Sequence, residues 1–451
     1  MTSGPPGTDT PEGGQRRTGR GRHSAPAAGG RLAGDTGWAT VAEGATLGSS
    51  LVVFYLVTTR LGPGQFGYFA GIQSLVAALS MLSTAWVGLL LLQEVVRESR
   101  PAATVFATCL TLSLGAGGLA TLIALVVGPW LLPGLAVPML LLFVLAELLG
   151  AGLLQLAAAL LQALDRFSAS VAARCSLLVM RVIAVLVLAL SGHLTLGTLA
   201  VTYFALSLLA GTLALLVVRR ACHVSLRPAR PNRAELRSGM SYAGALVSFA
   251  VQEDADKLLL VRLADPVTAG LYAAGYRAVQ VAIVPLRALA NSSHRTFLQN
   301  DPDATGEHLR RSVRFTGIAA AYALVAVVVL VVGRRFVPDL LGEAYRDSVP
   351  MIGLLAPLVL FRALSLFAFN GLMGLRRNGV RLGIISAAAT VNALLNLVLI
   401  ATYSWRGAAV ATLIAEVVFT VGTWVALVVY QRRHDAGVRA RPEAGATMVP
   451  A

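Results

Sequence analysis

Twelve apolar runs of about 20 residues set the problem this chain has to solve. They cover residues 37–59, 70–93, 103–127, 137–162, 170–190, 196–218, 239–261, 271–290, 315–333, 349–373, 382–402 and 407–430. A run of that length crosses the roughly 30 Å of hydrocarbon in a bilayer, where no water satisfies a bare peptide group, so each must close its own backbone hydrogen bonds as a helix. The expected class is therefore an all-α integral membrane protein of about 12 transmembrane helices. Composition agrees, since 56% of the 451 residues are hydrophobic and only 13% are charged, well outside the range of soluble domains. The longest internal connections, residues 219–238 and 291–314, leave no room for a catalytic domain outside the membrane. Residues 1–35, rich in Gly, Pro, Thr and Arg, lack the apolar content to bury a core and are expected to be a disordered basic tail.

The net charge of +15 would suggest nucleic acid if it formed a face on a soluble domain. Here the arginines fall between the apolar runs, where they set topology and meet anionic lipid, so membrane lipids and not nucleic acid are the partners expected. Counting alternate segments, 26 of the 37 basic residues lie on one side, 6 on the other and 5 inside runs. The positive-inside rule then places both termini in the cytoplasm of a multi-pass plasma-membrane protein. Cys109, Cys175 and Cys222 are scattered and the six histidines do not cluster, so neither a disulfide framework nor a metal site is indicated. The sole lysine, Lys257, follows Asp256 and not the glycine of a Walker A loop, so ATP hydrolysis by that route is excluded and no cofactor is expected.

The second half of the chain repeats the first. Arg60-Leu61-Gly62-Pro63 leading to Gly67-Tyr68-Phe69-Ala70 is echoed by Arg262-Leu263-Ala264-Asp265-Pro266 leading to Gly270-Leu271-Tyr272-Ala273. Leu196-Gly197-Thr198 is echoed by Arg406-Gly407-Ala408, and each precedes a pair of arginines, Arg219-Arg220 and Arg432-Arg433, one run later. Two halves of six spans have the same orientation, so they form pseudo-symmetric lobes about an axis along the membrane normal and enclose a central cavity. The expected divisions are a tail at 1–35, a six-helix lobe at 36–218, a basic linker at 219–238, a second six-helix lobe at 239–430 and a cytoplasmic tail at 431–451.

One stretch breaks the apolar pattern. Glu253, Asp254, Asp256 and Lys257 sit inside the seventh run, although a charge in hydrocarbon costs several kcal/mol and persists mostly where it lines a wet cavity or does work. Helical geometry puts all four within about 160° of one face, which should look inward. Glu253 and Lys257 also have the one-turn spacing of a self-neutralising structural pair, which would leave Asp254 and Asp256 unpaired. Single carboxylates stand in three other runs, Glu43, Glu147 and Glu416. Each reads either as a proton or sodium site or as a neutral group bonded to a neighbouring helix. Glu43 comes first among them because its helix is equivalent to the seventh.

These residues resemble a known family, the polysaccharide or oligosaccharide flippases of the multidrug/oligosaccharidyl-lipid/polysaccharide exporter superfamily. The resemblance is carried by Arg60-Leu61-Gly62 through Phe66-Gly67-Tyr68-Phe69, and by Asp256-Lys257-Leu258-Leu259-Leu260 followed by Gly270-Leu271-Tyr272-Ala273-Ala274-Gly275-Tyr276-Arg277. The third part is Thr390-Val391-Asn392 through Asn396-Leu397-Val398-Leu399-Ile400 followed by Gly407-Ala408-Ala409-Val410-Ala411-Thr412. It implies translocation of a lipid-linked oligosaccharide, typically on a polyprenyl pyrophosphate carrier, from the inner to the outer leaflet by alternating access. Glu253 and Asp254 add acidity beside the family's seventh-helix aspartate.

An anionic headgroup of that kind needs cationic donors inside the spans, and guanidinium offers a planar fork suited to phosphate oxygens. Four arginines are placed for it: Arg277, the foremost candidate, with Arg287 in the same run, Arg181 in the fifth and Arg362 in the tenth. Against this, Arg277 can pair structurally with Asp254 or Asp256, and Arg181 lies close enough to an interface to serve as a topology charge. The candidate ion-coupling or cavity residues are Asp254, Asp256, Glu253, Lys257 and Glu43, driven by a proton or sodium gradient. An ion-coupled multidrug exporter of the same fold is the rival reading, and a membrane polysaccharide polymerase a more distant one. The short, acid-poor loops disfavour any enzyme.

Overall fold

The computed structural model describes residues 27–227, 229–298 and 305–439, and within them every long element is helical. Ten stretches are long and apolar enough to cross a membrane. Two facts reconcile ten with the twelve expected. The first stretch, 54 residues from Gly44 to Arg97, is two spans joined at a break. Helix Arg233–Leu263 is long enough for a span but is disqualified by the charges it carries.

The break lies at Gly62, whose φ of +70° is natural only to glycine, and Pro63 then starts the next helix with no amide proton to lose. Phe54 and Phe66 show that the chain folds back there: their ring centres are 5.6 Å apart, whereas twelve residues of straight helix would separate them by about 18 Å. We number the spans α1 (27–61), α2 (63–97), α3 (Ala102–Leu131), α4 (Val137–Ala163), α5 (Phe167–Leu190) and α6 (Leu196–Cys222). The second six are α7 (Arg233–Leu263), α8 (Pro266–Leu298), α9 (Glu307–Gly333), α10 (Ser348–Gly374), α11 (Asn378–Tyr403) and α12 (Trp405–Arg439). A short helix, Val337–Leu341, lies between α9 and α10. Wide turns of π type interrupt α2 at Met81–Ala85 and Gln93–Arg97 and α4 at Ala146–Ala151.

Helices α1–α6 form one lobe and α7–α12 the other. Val126, Leu190 and Val328 are among the large side chains most exposed on their surfaces, as expected of residues that face lipid tails. The N-terminal lobe has an aromatic centre in which Phe69, Phe143 and Tyr203 meet edge to face, with ring centres 5.9–6.4 Å apart.

The lobes touch where the two copies of the repeated sequence meet. A Cβ added to Gly67 on α2 would collide with the carbonyl of Pro266 and the amide of Gly270; one added to Gly270 on α8 would collide with the carbonyl of Pro63 and the amide of Gly67. Each Pro-x-x-x-Gly segment thus rests reciprocally on the other. Only glycine admits so close an approach of two backbones. The Tyr345 hydroxyl donates to the Thr58 carbonyl (3.0 Å), adding a contact from the second lobe to α1 at the same end. At the other end, where most of the arginines lie, Arg100 beside α3 bonds Glu94 of α2 (2.6 Å) and Glu235 of α7 (2.5 Å).

Candidate functional site

Between the lobes lies a cavity of about 440 Å³, walled by α1, α2, α5, α6, α7 and α8. Its walls carry Arg181, Asp254, Lys257 and Arg277, together with Gln73, Gln280 and the hydroxyls of Thr46, Ser49 and Ser50. Phe54, Phe66, Phe69 and Tyr203 supply an aromatic side. Thr46, at the arginine-rich end of the wall, is exposed, whereas the opposite end is shut by the Gly67–Gly270 contact.

Arg277 makes no ion pair among the described residues, and Asp254, on the same cavity wall, acts on it only at longer range. Its guanidinium donates to the Ser50 hydroxyl of the other lobe and to Gln280 Oε1 (3.1 Å), and it stands 5.9 Å from the Phe54 ring centre. Its Nε is buried and has no acceptor among the described residues, as is also true of Nε of Arg181. The structure therefore does not make the Arg277 pair with Asp254 or Asp256 that the sequence left open.

Arg181 is held differently. It makes an ion pair with Glu147 (2.6 Å), donates to Ser207 Oγ (2.7 Å) and lies 4.6 Å over the Tyr203 ring. This bears on one alternative and corrects one expectation. Arg181 is a cavity residue and not a topology charge, and Glu147, on the wide turn of α4, is not a lone carboxylate.

The four charges of α7 do not share one direction. Asp254 and Lys257 line the cavity, whereas Glu253 and Asp256 are buried inside the second lobe. Lys257 does not bond the Glu253 carboxylate: its ammonium donates to the Glu253 backbone carbonyl (2.8 Å), to Asp254 Oδ1 (2.8 Å) and, more weakly, to Asp256 Oδ1 (3.4 Å). Asp254 and Asp256 are therefore both engaged, contrary to the pairing scheme read from spacing alone. The reason is that other helices supply Glu253 with better partners. Arg362 of α10 bonds it directly, Arg287 of α8 reaches it at 3.4 Å, and Arg362 also contacts Glu416 of α12 (3.0 Å). Gln252 donates to Glu416 (3.4 Å), and its backbone carbonyl accepts from Asn392 (3.1 Å).

Arg287 and Arg362 are accordingly not among the residues lining the cavity; Arg362 neutralises Glu253 and Glu416 within the lobe, and the half-exposed Arg287 reaches Glu253 from its surface. Two charges against two leave this network balanced. Asp256 bridges helices instead: its Oδ2 accepts from Tyr272 of α8 (2.8 Å) and Thr412 of α12 (3.4 Å), and its Oδ1 from the Lys257 amide (2.8 Å). Glu43 belongs to α1, but its side chain lies outside the described residues. Sequence reading passed over Gln73, Gln280, Ser49 and Ser50. The available signal was an amide or a string of hydroxyls inside an apolar run, which by itself does not separate cavity lining from interhelical bonding.

Among known proteins, residues 32–291 match the sequence profile of a family described as "Polysaccharide biosynthesis protein". No curated protein matches the chain. Among solved structures, an inward-facing multidrug resistance MATE family transporter of the MOP superfamily superposes with a TM-score of 0.66 at 15% identity, over 87% of this chain and 96% of that one. The lipid II flippase MurJ, in an inward closed conformation, gives 0.65 at 10% identity over 89% and 91%. A MOP superfamily transporter from Pyrococcus furiosus, whose binding pocket is described as of reversed polarity, gives 0.57 at 14% over 89% and 93%. At these identities the likeness is one of fold.

Proposed function

Since the chain belongs to the polysaccharide biosynthesis protein family, we propose that it translocates a lipid-linked oligosaccharide across the plasma membrane, its headgroup carried on a polyprenyl pyrophosphate. The arginine-rich end faces the cytoplasm, with both termini there, and the cavity receives the headgroup from the inner leaflet. Rocking of the two lobes then exposes it to the outer one.

One observation carries this reading: Arg277 lines the interlobe cavity and, among the described residues, hydrogen-bonds only neutral acceptors. A guanidinium held by neutral acceptors keeps its charge for a phosphate oxygen, and a hydrogen bond to a charged group contributes about 1.5–3 kcal/mol. Arg181 on the facing lobe is a second phosphate donor once its hold on Glu147 is shared. The amides and hydroxyls of Gln73, Gln280 and Ser49 suit sugar hydroxyls, and Tyr203 and Phe69 offer faces for sugar rings. MurJ, described as a lipid II flippase, has the same fold, so the architecture is compatible with a lipid-linked cargo.

Transport is coupled to a proton or sodium gradient through Asp256. The set formed by Asp254, Asp256 and Lys257 has two carboxylates for one ammonium. Asp256, 1% exposed and sharing that ammonium with Asp254, is an enclosed carboxylate with only part of a countercharge, which suits it to a cation. The rival reading, export of a cationic drug, draws on Asp254 in the cavity wall and the aromatic side facing it.

Proteoliposomes discriminate. Leaflet exposure of a polyprenyl-pyrophosphate oligosaccharide is followed with and without a proton or sodium gradient, beside efflux of a cationic dye. Glycolipid is expected to cross and dye to stay. Dye movement with a stationary glycolipid would replace the flippase reading by drug export.

A further inference from the structure

Lys257 touches both the cavity and the lobe interior. It lines the cavity beside Asp254, yet its ammonium also lies 3.4 Å from Asp256, whose residue is 1% exposed and walled off from the cavity. The ammonium sits 3.9 Å over the ring of Tyr276, which stacks on Tyr272, the phenol bonded to the far oxygen of Asp256. Among the described residues, Asp254 and Asp256 make no other ion pair, so one ammonium is shared between them; Arg277 acts on Asp254 only at longer range, from the same cavity wall.

We propose that Lys257 is the positioning residue that couples cation to cargo, by exchanging its ammonium between Asp256 and Asp254. The inference rests on the flippase reading and on Asp256 as its coupling carboxylate. A cation arriving at Asp256 displaces the ammonium toward the cavity. There it neutralises Asp254 and adds its charge to that of Arg277, and the anionic headgroup binds more tightly. By linkage the headgroup, in drawing Lys257 outward, strengthens cation binding by the same factor. The exchange is short in space: the Lys257 chain pivots between two oxygens that are 2.8 and 3.4 Å from its nitrogen. The remaining groups around Lys257 and Asp256 are already committed or uncharged: Glu253 also acts on Lys257 but is paired with Arg362 of α10 and Arg287 of α8. Tyr272 and Tyr276 of α8 and Thr412 of α12 are uncharged, and α11 meets α7 through the amide of Asn392.

The test uses the full-length protein in detergent and in proteoliposomes. Melting temperature is titrated with sodium chloride against choline chloride at constant ionic strength, and separately with pH in choline, which tells a sodium site from a proton site. In Lys257→Gln the stabilising cation is expected to act at about tenfold lower concentration than in wild type, because its competitor is gone. In Asp254→Asn the lysine falls entirely to Asp256, so about tenfold more cation is needed. A merely structural lysine would not move the two midpoints in opposite directions. In liposomes Lys257→Gln is expected to pass glycolipid downhill without acceleration by the gradient. Unchanged midpoints in both variants, or gradient acceleration retained in Lys257→Gln, overturn the proposal. If Lys257→Gln does not insert, the Asp254→Asn midpoint decides alone. Failure of the flippase reading shows separately, as wild type leaving glycolipid in one leaflet.

Discussion

Arg277 and Arg362 are both arginines in apolar helices, but their surroundings are opposite in kind. Arg277 is held by a hydroxyl and an amide and faces open space; Arg362 is wedged between Glu253 and Glu416. Hydrogen bonds to a charged group contribute roughly 1.5–3 kcal/mol each, so Arg277→Ala is expected to lower glycolipid transport about ten- to a hundredfold while leaving the melting temperature near that of wild type. Arg277→Lys keeps the charge but loses the fork, and should fall between the two. Arg362→Ala strands the buried Glu416 and leaves Glu253 only the more distant Arg287, and removing one partner of such a network costs about 3–5 kcal/mol. It should therefore reduce yield and melting temperature, and adding Glu253→Gln and Glu416→Gln should restore most of the loss. A full recovery of transport by Arg277→Ala, measured by leaflet exposure, would remove the anion site. The sequence made Arg277 legible because a guanidinium in hydrocarbon has few places to be. The partners of Arg362 were hidden, because helical spacing tells which face a side chain takes and not which helix comes to meet it. Glu253 and Lys257 stand one turn apart, and yet Glu253 bonds a residue 109 positions away.

At the level of the helix, the reciprocal Pro-x-x-x-Gly contact was visible in the chain as a repeat, although nothing in the repeat said that its copies touch. The structure gives the reason for the glycines: each admits the other segment's proline carbonyl. Gly270→Ala places a methyl group against the Pro63 carbonyl, and overpacking of that kind costs typically 1–3 kcal/mol. The cost falls only on the arrangement in which the lobes are closed at this end. Gly270→Ala is thus expected to shift the population toward the arrangement open there, by the differential energy and no more. Labelling of a Ser50→Cys probe in the cavity with an impermeant reagent from the outside should rise in that background. Equal labelling with and without the alanine would mean that the contact is not broken during transport. A quieter local device opens α6, where Thr195 and Thr198 cap each other's backbone amides. Thr195→Ala should cost about 1 kcal/mol of stability with no change in cargo preference.

For the molecule as a whole, the number of spans and the two-lobed arrangement follow from apolar run length and the internal repeat, and the cavity follows from both. Which charges face that cavity does not follow, because it depends on how two six-helix lobes lean together. That leaning is itself testable. Near the Gly67–Gly270 contact, a Cβ on Gly64 of α2 would lie 3.5 Å from Cγ2 of Val267 on α8, an ordinary van der Waals distance. A cysteine sulfur in the place of that Cγ2 would stand beside a Cβ at position 64, so a cysteine pair at these two positions is a candidate cross-link, once Cys109, Cys175 and Cys222 have been replaced by serine or alanine. If transport proceeds by rocking of the lobes, oxidation of the Gly64→Cys/Val267→Cys protein pins them together at this end and stops glycolipid movement, and reductant restores it. Cation binding at Asp256, which lies within one lobe, should survive the cross-link and still raise the melting temperature. A cross-linked protein that went on transporting at the wild-type rate would require a path for the headgroup that does not part α2 from α8. The alternating-access account would then fail even if the cargo assignment held.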